Sequence, residues 1–454
     1  MTWDALPAGV LIDDPDVVAG YAHDQSRLTE RATPSVVLAP RSTAEVQACL
    51  RAASAAGVAV VPRGAGSGLV GGANAPAGSA VLSLHRMDRV LEVDPVERLA
   101  VVQPGVVTGD LRSAAAGAGL FYPPDPGSVA FCTVGGNVAT DAGGMCCVKY
   151  GVTGDFVEAL EVVLADGRVL RTGTRTVKGV AGYDLTSLFV GSEGTLGVVT
   201  EITVRLLPAP AAPQTLVASF DRLASAGDAV ARIAAAGLTP SLLEVLDRTT
   251  VRAVDAHAGM GLGDVAALLL VQSDDAGPGA AALLEQVESH CTGAGAVDVA
   301  RSDDAEEAAM LLEARRLALP ALERLAADRG GDWLLDDVCV PRARVVDLIG
   351  AVEAVAHDLG LTIGVFGHAG DGNLHPTIVY DHTDPDGRAT AMRAFDRITE
   401  AALALGGTIT GEHGVGTLKR HWLTRELDPV ALDVQRALRR TFDPAGVLSP
   451  HAVL

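Results

Sequence analysis

Hydrophobic and polar positions follow two rhythms along this chain, and the change between them falls near residue 210. Residues 35–62 read strand, helix, strand. "SVVLAP" is a short apolar run, and "STAEVQACLRAASAAG" repeats its apolar positions at helical spacing between a Ser42–Glu45 capping box and a Gly57 stop; "VAVVP" returns to strand. From 80 to 207 apolar alternation recurs in "AVLSL", "RLAVVQPG", "EALEVVLADGRVLRTG" and "GVVTEITVRLLP", separated by glycine-rich loops with few helices. The first part therefore predicts an α/β domain with mixed sheets.

"LLPAPAAPQ", residues 206–214, crowds three prolines into a short polar-poor stretch suited to a linker, so the domains are expected to be 1–208 and 209–454. Beyond it, "FDRLASAGDAVARIAAAG" and "ARVVDLIGAVEAVAHDLG" have amphipathic helical spacing. "DVAALLLVQS", "DWLLDDVCV", "LTIGVFGH" and "LHPTIVY" read as strands. This is an α+β pattern with antiparallel pairing, and α+β is the fold class expected for the whole chain.

Length and charge narrow the function. At about 100–200 residues per domain, 454 residues suggest two or three domains. A formal charge of −21 argues against nucleic acid, whose recognition depends on clustered Lys and Arg. The six cysteines show no CxxC spacing, so neither a zinc knuckle nor an iron–sulfur cluster is signalled. The first residues lack a basic stretch followed by an apolar one, and no window reaches about 18 uninterrupted apolar residues. A cytoplasmic protein is expected, with attachment to the inner face of the membrane as an option.

Nearly half of the 51 glycines lie between positions 60 and 200. "PRGAGSGLVGG" contains a literal GxGxxG at Gly66, Gly68 and Gly71, but turn and strand follow it. A dinucleotide fingerprint needs a helix there, to present its N-terminal amides to the pyrophosphate. "PPDPGS", "TVGGNVATDAGG" and "GSEGTLGVV" offer similar unobstructed backbone amides. Any one of them reads as a tight turn; four within about 140 residues favour a large wrapped cofactor.

In the second half, "GHAGDGNLHPTI" (367–378) sets His368 and His375 on either side of a run of turn residues. Folded as a hairpin, the two become cross-strand neighbours, with Cβ atoms about 4.5–5.5 Å apart. "GEHG" supplies Glu412 as a third ligand, completing a set of two imidazoles and a carboxylate that suits Zn2+ or Mn2+. A plain hairpin remains the alternative from these residues alone, and nearby carboxylates disfavour a phosphate cradle.

The glycine loops, with Tyr150–Gly151 and "GYDLTSLFVGSEGTLGVVTE", resemble the FAD-binding (PCMH-type) domain of vanillyl-alcohol-oxidase-type flavoproteins. The second half is similar to the C-terminal domain of FAD-linked D-2-hydroxy-acid dehydrogenases, the group that includes glycolate oxidase flavin subunits and FAD-linked D-lactate dehydrogenases. The resemblance implies two α/β subdomains holding FAD, with a core at 34–208, and an antiparallel-sheet substrate domain. Roughly the last 25 residues would return to the FAD domain.

Carried over by motif, Arg63, Gly64, Ala65, Gly66, Ser67 and Gly68 would lie on the pyrophosphate. Pro124, Asp125, Ser128, Gly135, Gly136, Asn137, Thr140, Gly143 and Gly144 would lie along the diphosphate and isoalloxazine, with Tyr150 and Gly151 also on the cofactor. Glu193, Gly197, Val198 and Val199 would lie near the adenine end. Ala65 and Ser67 stand where some relatives attach FAD through His, so non-covalent FAD is implied.

The resemblance also implies a divalent metal on His368, His375 and Glu412, His413 as base, and Arg315 on the substrate carboxylate, with Arg316 as the alternative. The reaction implied is oxidation of an (R)-2-hydroxy acid, with hydride passing to flavin N5. Relatives favouring 2-hydroxyglutarate carry Lys near Leu335 and Asn at Thr377, so D-lactate or glycolate leads. D-2-hydroxyglutarate oxidation, or a non-catalytic FAD subunit of a larger glycolate oxidase, is the alternative. The electron acceptor would be a quinone, a cytochrome, an electron-transfer flavoprotein or an iron–sulfur partner subunit, and a homodimer is the assembly considered.

Overall fold

The computed structural model describes residues 3–30, 32–302 and 304–454. They form two compact units. The first comprises Met1–Gly143, Val152–Ala209 and Glu412–Leu454; the second comprises Gly144–Gly151 and Pro210–Gly411. The chain thus leaves the first unit inside the proline-rich stretch. It returns at Glu412, earlier in the sequence than expected, and the short piece 144–151 belongs with the second unit.

In the first unit a four-stranded sheet has the order Leu11–Ile12, Val36–Leu38, Ala80–Ser83, Val60–Arg63, the last three strands being parallel. Helix Thr43–Ala56 makes the crossover between Val36–Leu38 and Val60–Arg63. Ser42 Oγ accepts from Glu45 N, while the Glu45 carboxylate reaches past Ser42 to the Arg41 amide; Gly57 ends the helix at φ +64°. Leu38, Val46, Leu50, Val60 and Leu82 form the core with Leu448, each leucine contributing roughly 1.5–3 kcal/mol by burial. Leu448 gets there because the end of the chain lies against Val60, whose amide donates to Val447 O at 2.7 Å.

A second, antiparallel sheet in this unit runs Val90–Asp94, Leu99–Val102, Val198–Arg205, Val157–Val163, Val169–Gly173.

The second unit is built on one antiparallel sheet. Its order is Asp298–Ser302, Gln214–Phe220, Ala267–Ser273, Leu242–Asp247, Thr362–His368, Asn373–Tyr380, Asp332–Leu335, with Val338–Cys339 also paired to Asn373–Tyr380. Helices Arg248–Ala258 and Ala318–Asp328 pack together, as do Val345–Leu359 and Gly387–Ala404. Among the described residues, no helix is long and apolar enough to cross a membrane.

Candidate active site

In the first unit the glycine loops close on one another. No helix starts after Arg63; the chain passes through Gly66 and Gly71, both at positive φ, to Ala80–Ser83. A Cβ on Gly64 would sit 2.3 Å from Thr133 Oγ1, and one on Gly135 would sit 2.5 Å from Pro104 Cβ. Thr133 caps the short helix Val134–Thr140, and the loop at 191–193 is tied to that helix by Gly191 N to Val138 O (2.9 Å) and Glu193 N to Ala139 O (2.7 Å).

Among the described residues, the amides of Gly64 through Gly72 donate to no protein acceptor. A run of main-chain donors left open beside glycine clearances fits a diphosphate-bearing cofactor held by backbone, as FAD requires.

Not every residue assigned to the cofactor has its side chain open for it. Arg63 is buried, with Nη1 donating to His23 O at 3.0 Å and the guanidinium over the Tyr21 ring. Asn137 Nδ2 donates to Thr108 Oγ1 at 2.8 Å, inside the unit. Val198 and Val199 are ladder residues opposite Val163 and Val162, and a Cβ on Gly197 would meet Val162. Pro124 O accepts from Arg112, and Ser128 O accepts the amides of Phe131 and Cys132. Gly136 and Thr140 lie on helix Val134–Thr140, Asp125 and Gly143 lie on irregular segments, and Ala65, Ser67 and Gly68 lie on the open run.

Gly144, Tyr150 and Gly151 lie in the piece that belongs to the second unit. There the Tyr150 hydroxyl donates to Asp274 Oδ2 at 2.5 Å, and Lys149 Nζ pairs with Asp274 (2.6 Å) and Asp275 (2.7 Å). Burial, helped by the hydrogen bond to Asp274, raises the Tyr150 pKa and keeps the phenol protonated.

Glu412 and His413 lie on an irregular segment of the first unit, not on a strand. Glu412 Oε1 and His413 Nε2 are 3.8 Å apart, so adjacency in sequence does not separate the two side chains. The segment is held downstream: Val415 N and Gly416 N donate to the Glu193 carboxylate at 2.8 and 2.9 Å, and Thr417 N and Leu418 N donate to Val70 O at 3.0 Å.

The histidine pair lies at the hairpin of the second unit. Strands Thr362–His368 and Asn373–Tyr380 pair with His368 opposite Asn373 and Phe366 opposite His375. The histidines are thus diagonal neighbours on one face, not directly opposite as the spacing suggested, because four residues (369–372) form the turn. Their rings still meet, with Nε2 to Nε2 at 3.3 Å.

Behind each ring stands a carboxylate. Glu244 Oε1 is 2.6 Å from His368 Nδ1, and Asp337 Oδ1 is 3.6 Å from His375 Nδ1. Glu244 is wholly buried and its other oxygen accepts from Arg315 Nε. Burial alone would raise the Glu244 pKa, but His368 and Arg315 outweigh it and hold the carboxyl below the usual range. Asp337 Oδ2 accepts from Thr410 Oγ1 (2.7 Å) and Gly411 N (2.9 Å). Two convergent Nε2 atoms, each with a carboxylate behind its Nδ1, fit a divalent metal. The Asn373 amide oxygen, opposite His368, is buried with no hydrogen-bond partner among the described residues.

Arg315 is buried and its guanidinium stacks over Phe366 at 4.8 Å; Arg316 is exposed and pairs with Glu313. Leu335 and Thr377 are in-register partners, and Thr377 shares its face with His375. Sequence reasoning missed Glu244 and Asp337. Their signal was present: "LLEVLD" and "WLLDDVCV" are mostly apolar strand regions that each carry two acids, where an unpaired charge is too costly to bury.

The fold is shared with solved structures. A p-cresol methylhydroxylase structure superposes with a TM-score of 0.80 at 20% identity, covering 99% of this chain and 94% of that one. At family level, residues 34–173 match an FAD binding domain, and residues 209–453 match the FAD linked oxidases' C-terminal domain. The glycolate oxidase subunit GlcD of Bacillus subtilis is 44% identical over 449 residues, 99% of this chain and 93% of that protein. A D-lactate dehydrogenase of Anaerostipes hadrus is 34% identical over 461 residues, 99% and 95%. The chain belongs to the FAD-linked oxidases and is an FAD-binding oxidoreductase.

Proposed function

We propose that the chain oxidises a small (R)-2-hydroxy acid, D-lactate or glycolate, to the 2-oxo acid. The observation that carries this is the buried set Arg315–Glu244–His368–His375, a cation and two convergent imidazoles, with the Asp337 carboxylate 3.6 Å from His375 Nδ1. The names of the relatives in Bacillus subtilis and Anaerostipes hadrus support the substrate class.

When bound, non-covalent FAD would supply the two-electron acceptor, and Zn2+ or Mn2+ on His368, His375 and Glu412 would draw charge from the substrate hydroxyl. Glu244 fixes the tautomer of His368 so that Nε2 keeps its lone pair. Arg315, anchored through Nε, is left to orient the substrate carboxylate with the rest of its fork. His413 takes the hydroxyl proton. Residues 1–208, with the C-terminal segment that rejoins the first unit, serve FAD, and the second unit serves the substrate.

Leu335 beside Thr377 offers no cation for a second carboxylate, which favours a monocarboxylic substrate over 2-hydroxyglutarate. Electrons leave to a quinone, a cytochrome, an electron-transfer flavoprotein or an iron–sulfur partner; the Bacillus relative is named a subunit, in keeping with such a partner. Steady-state assays with a dye acceptor test the ranking. D-lactate or glycolate should exceed D-2-hydroxyglutarate in kcat/KM by at least about tenfold; the reverse order would remove the assignment.

A further inference from the structure

Glu193 stands in the first unit at φ +49°, in the left-handed region that side chains other than glycine rarely adopt. Its neighbours make room for it. A Cβ on Gly72 would lie 3.2 Å from Glu193 Oε2, and one on Gly414 would lie 3.0 Å from Oε1. Each carboxylate oxygen accepts one amide of the segment after His413: Oε1 from Val415 N and Oε2 from Gly416 N. The backbone of Glu193 is itself anchored, its amide donating to Ala139 O at 2.7 Å.

The motif around Glu193 suggested a cofactor contact, yet both oxygens of its side chain are spent on protein amides. We infer that Glu193 is a positioning residue for the oxidation, acting as a clamp that fixes the turn carrying Glu412 and His413. Two hydrogen bonds to consecutive amides set both the place and the tilt of the backbone immediately after the base. The Val70 carbonyl, taking Thr417 N and Leu418 N, holds the far side of the same turn. Loss of the clamp frees His413 to drift by the fraction of an ångström that proton transfer does not tolerate.

This inference rests on reading His413 as the base, and the test separates the two. Glu193→Ala, Glu193→Gln and His413→Gln are prepared in the full-length, FAD-loaded protein. FAD affinity is measured by flavin fluorescence, and kcat and KM are measured with D-lactate. Glu193→Ala should lower kcat roughly 100-fold while KM and the FAD Kd stay within about threefold. Glu193→Gln keeps one carbonyl acceptor but sets its NH2 against the second amide, so it should recover part of that loss. Weakened FAD binding with full kcat at saturating flavin would make Glu193 a cofactor contact and overturn the clamp. If the Ala variant does not fold, a Gln variant with unaltered kcat overturns it equally. Unaltered kcat in His413→Gln would instead remove the base reading.

Discussion

His368 and His375 bring their Nε2 atoms to 3.3 Å although neither is the other's partner in the strand register. Two neutral imidazoles gain little from facing each other so closely, whereas a shared ion at about 2.0–2.1 Å from each would use both lone pairs. Replacing either histidine with Ala should therefore abolish tight Zn2+ or Mn2+ uptake, measured by competition with a chromogenic chelator. Retention of wild-type metal affinity by both variants would leave the pair as a structural contact.

Glu244 should matter to the metal without touching it. In Glu244→Gln the amide cannot accept from both Arg315 Nε and His368 Nδ1, so one donor is left facing another. Metal affinity should fall roughly 10–100-fold, with the FAD visible spectrum unchanged. Chelator competition on the variant gives the number, and a fall below about twofold would contradict the orienting role.

Gly64 tests the cofactor cradle. A Cβ there collides with Thr133 Oγ1, the hydroxyl that caps helix Val134–Thr140. Gly64→Ala should cost about 1 kcal/mol of cap stability and weaken FAD by roughly tenfold, since the open amide run begins at this residue. Flavin retained through gel filtration reports the loss; full retention at wild-type stability would contradict the cradle.

Asp247 gives the second unit a pH dependence. It caps helix Arg248–Ala258 by accepting from Thr250 N at 2.8 Å, and burial pushes its carboxyl up to about 6 from the ordinary 3.8. A raised folded-state pKa means that the group's stability contribution is complete below about 3.8 and is lost as pH rises through 6. Asp247→Asn removes the charge but sets its NH2 toward the Val365 amide, so the prediction lies in the pH dependence: relative to the variant, wild type should lose about 1–3 kcal/mol of stability between pH 4.5 and pH 8. Urea unfolding at the two pH values checks the sign.

The β-α-β unit, the linker, the hairpin and the glycine loops were legible because each is a local signal: a cap, a proline cluster, an alternation, a run without Cβ. What was not legible came from register and from distant pairing. The turn 369–372 sets His368 against Asn373, so the histidines meet diagonally, and nothing in their spacing fixes that. Glu244 is 124 residues from His368, and only the sheet order puts their strands side by side. Tyr150 sits in a glycine-flanked stretch that reads as cofactor loop, yet its hydroxyl is taken by Asp274 at the end of a strand in the second unit. Motif position located the loops; long-range hydrogen bonds decided which side chains they leave available.

Anaerobic mixing of the FAD- and Zn2+-loaded protein with D-lactate, L-lactate or glycolate, with the flavin absorbance followed near 450 nm, tests the reaction itself (about 450 nm being a property of oxidised flavin). D-lactate or glycolate should bleach the flavin and L-lactate should not, and the response should be lost after chelation and return with added metal. A flavin that no hydroxy acid bleaches would contradict the reaction, and bleaching indifferent to the chelator would contradict the metal.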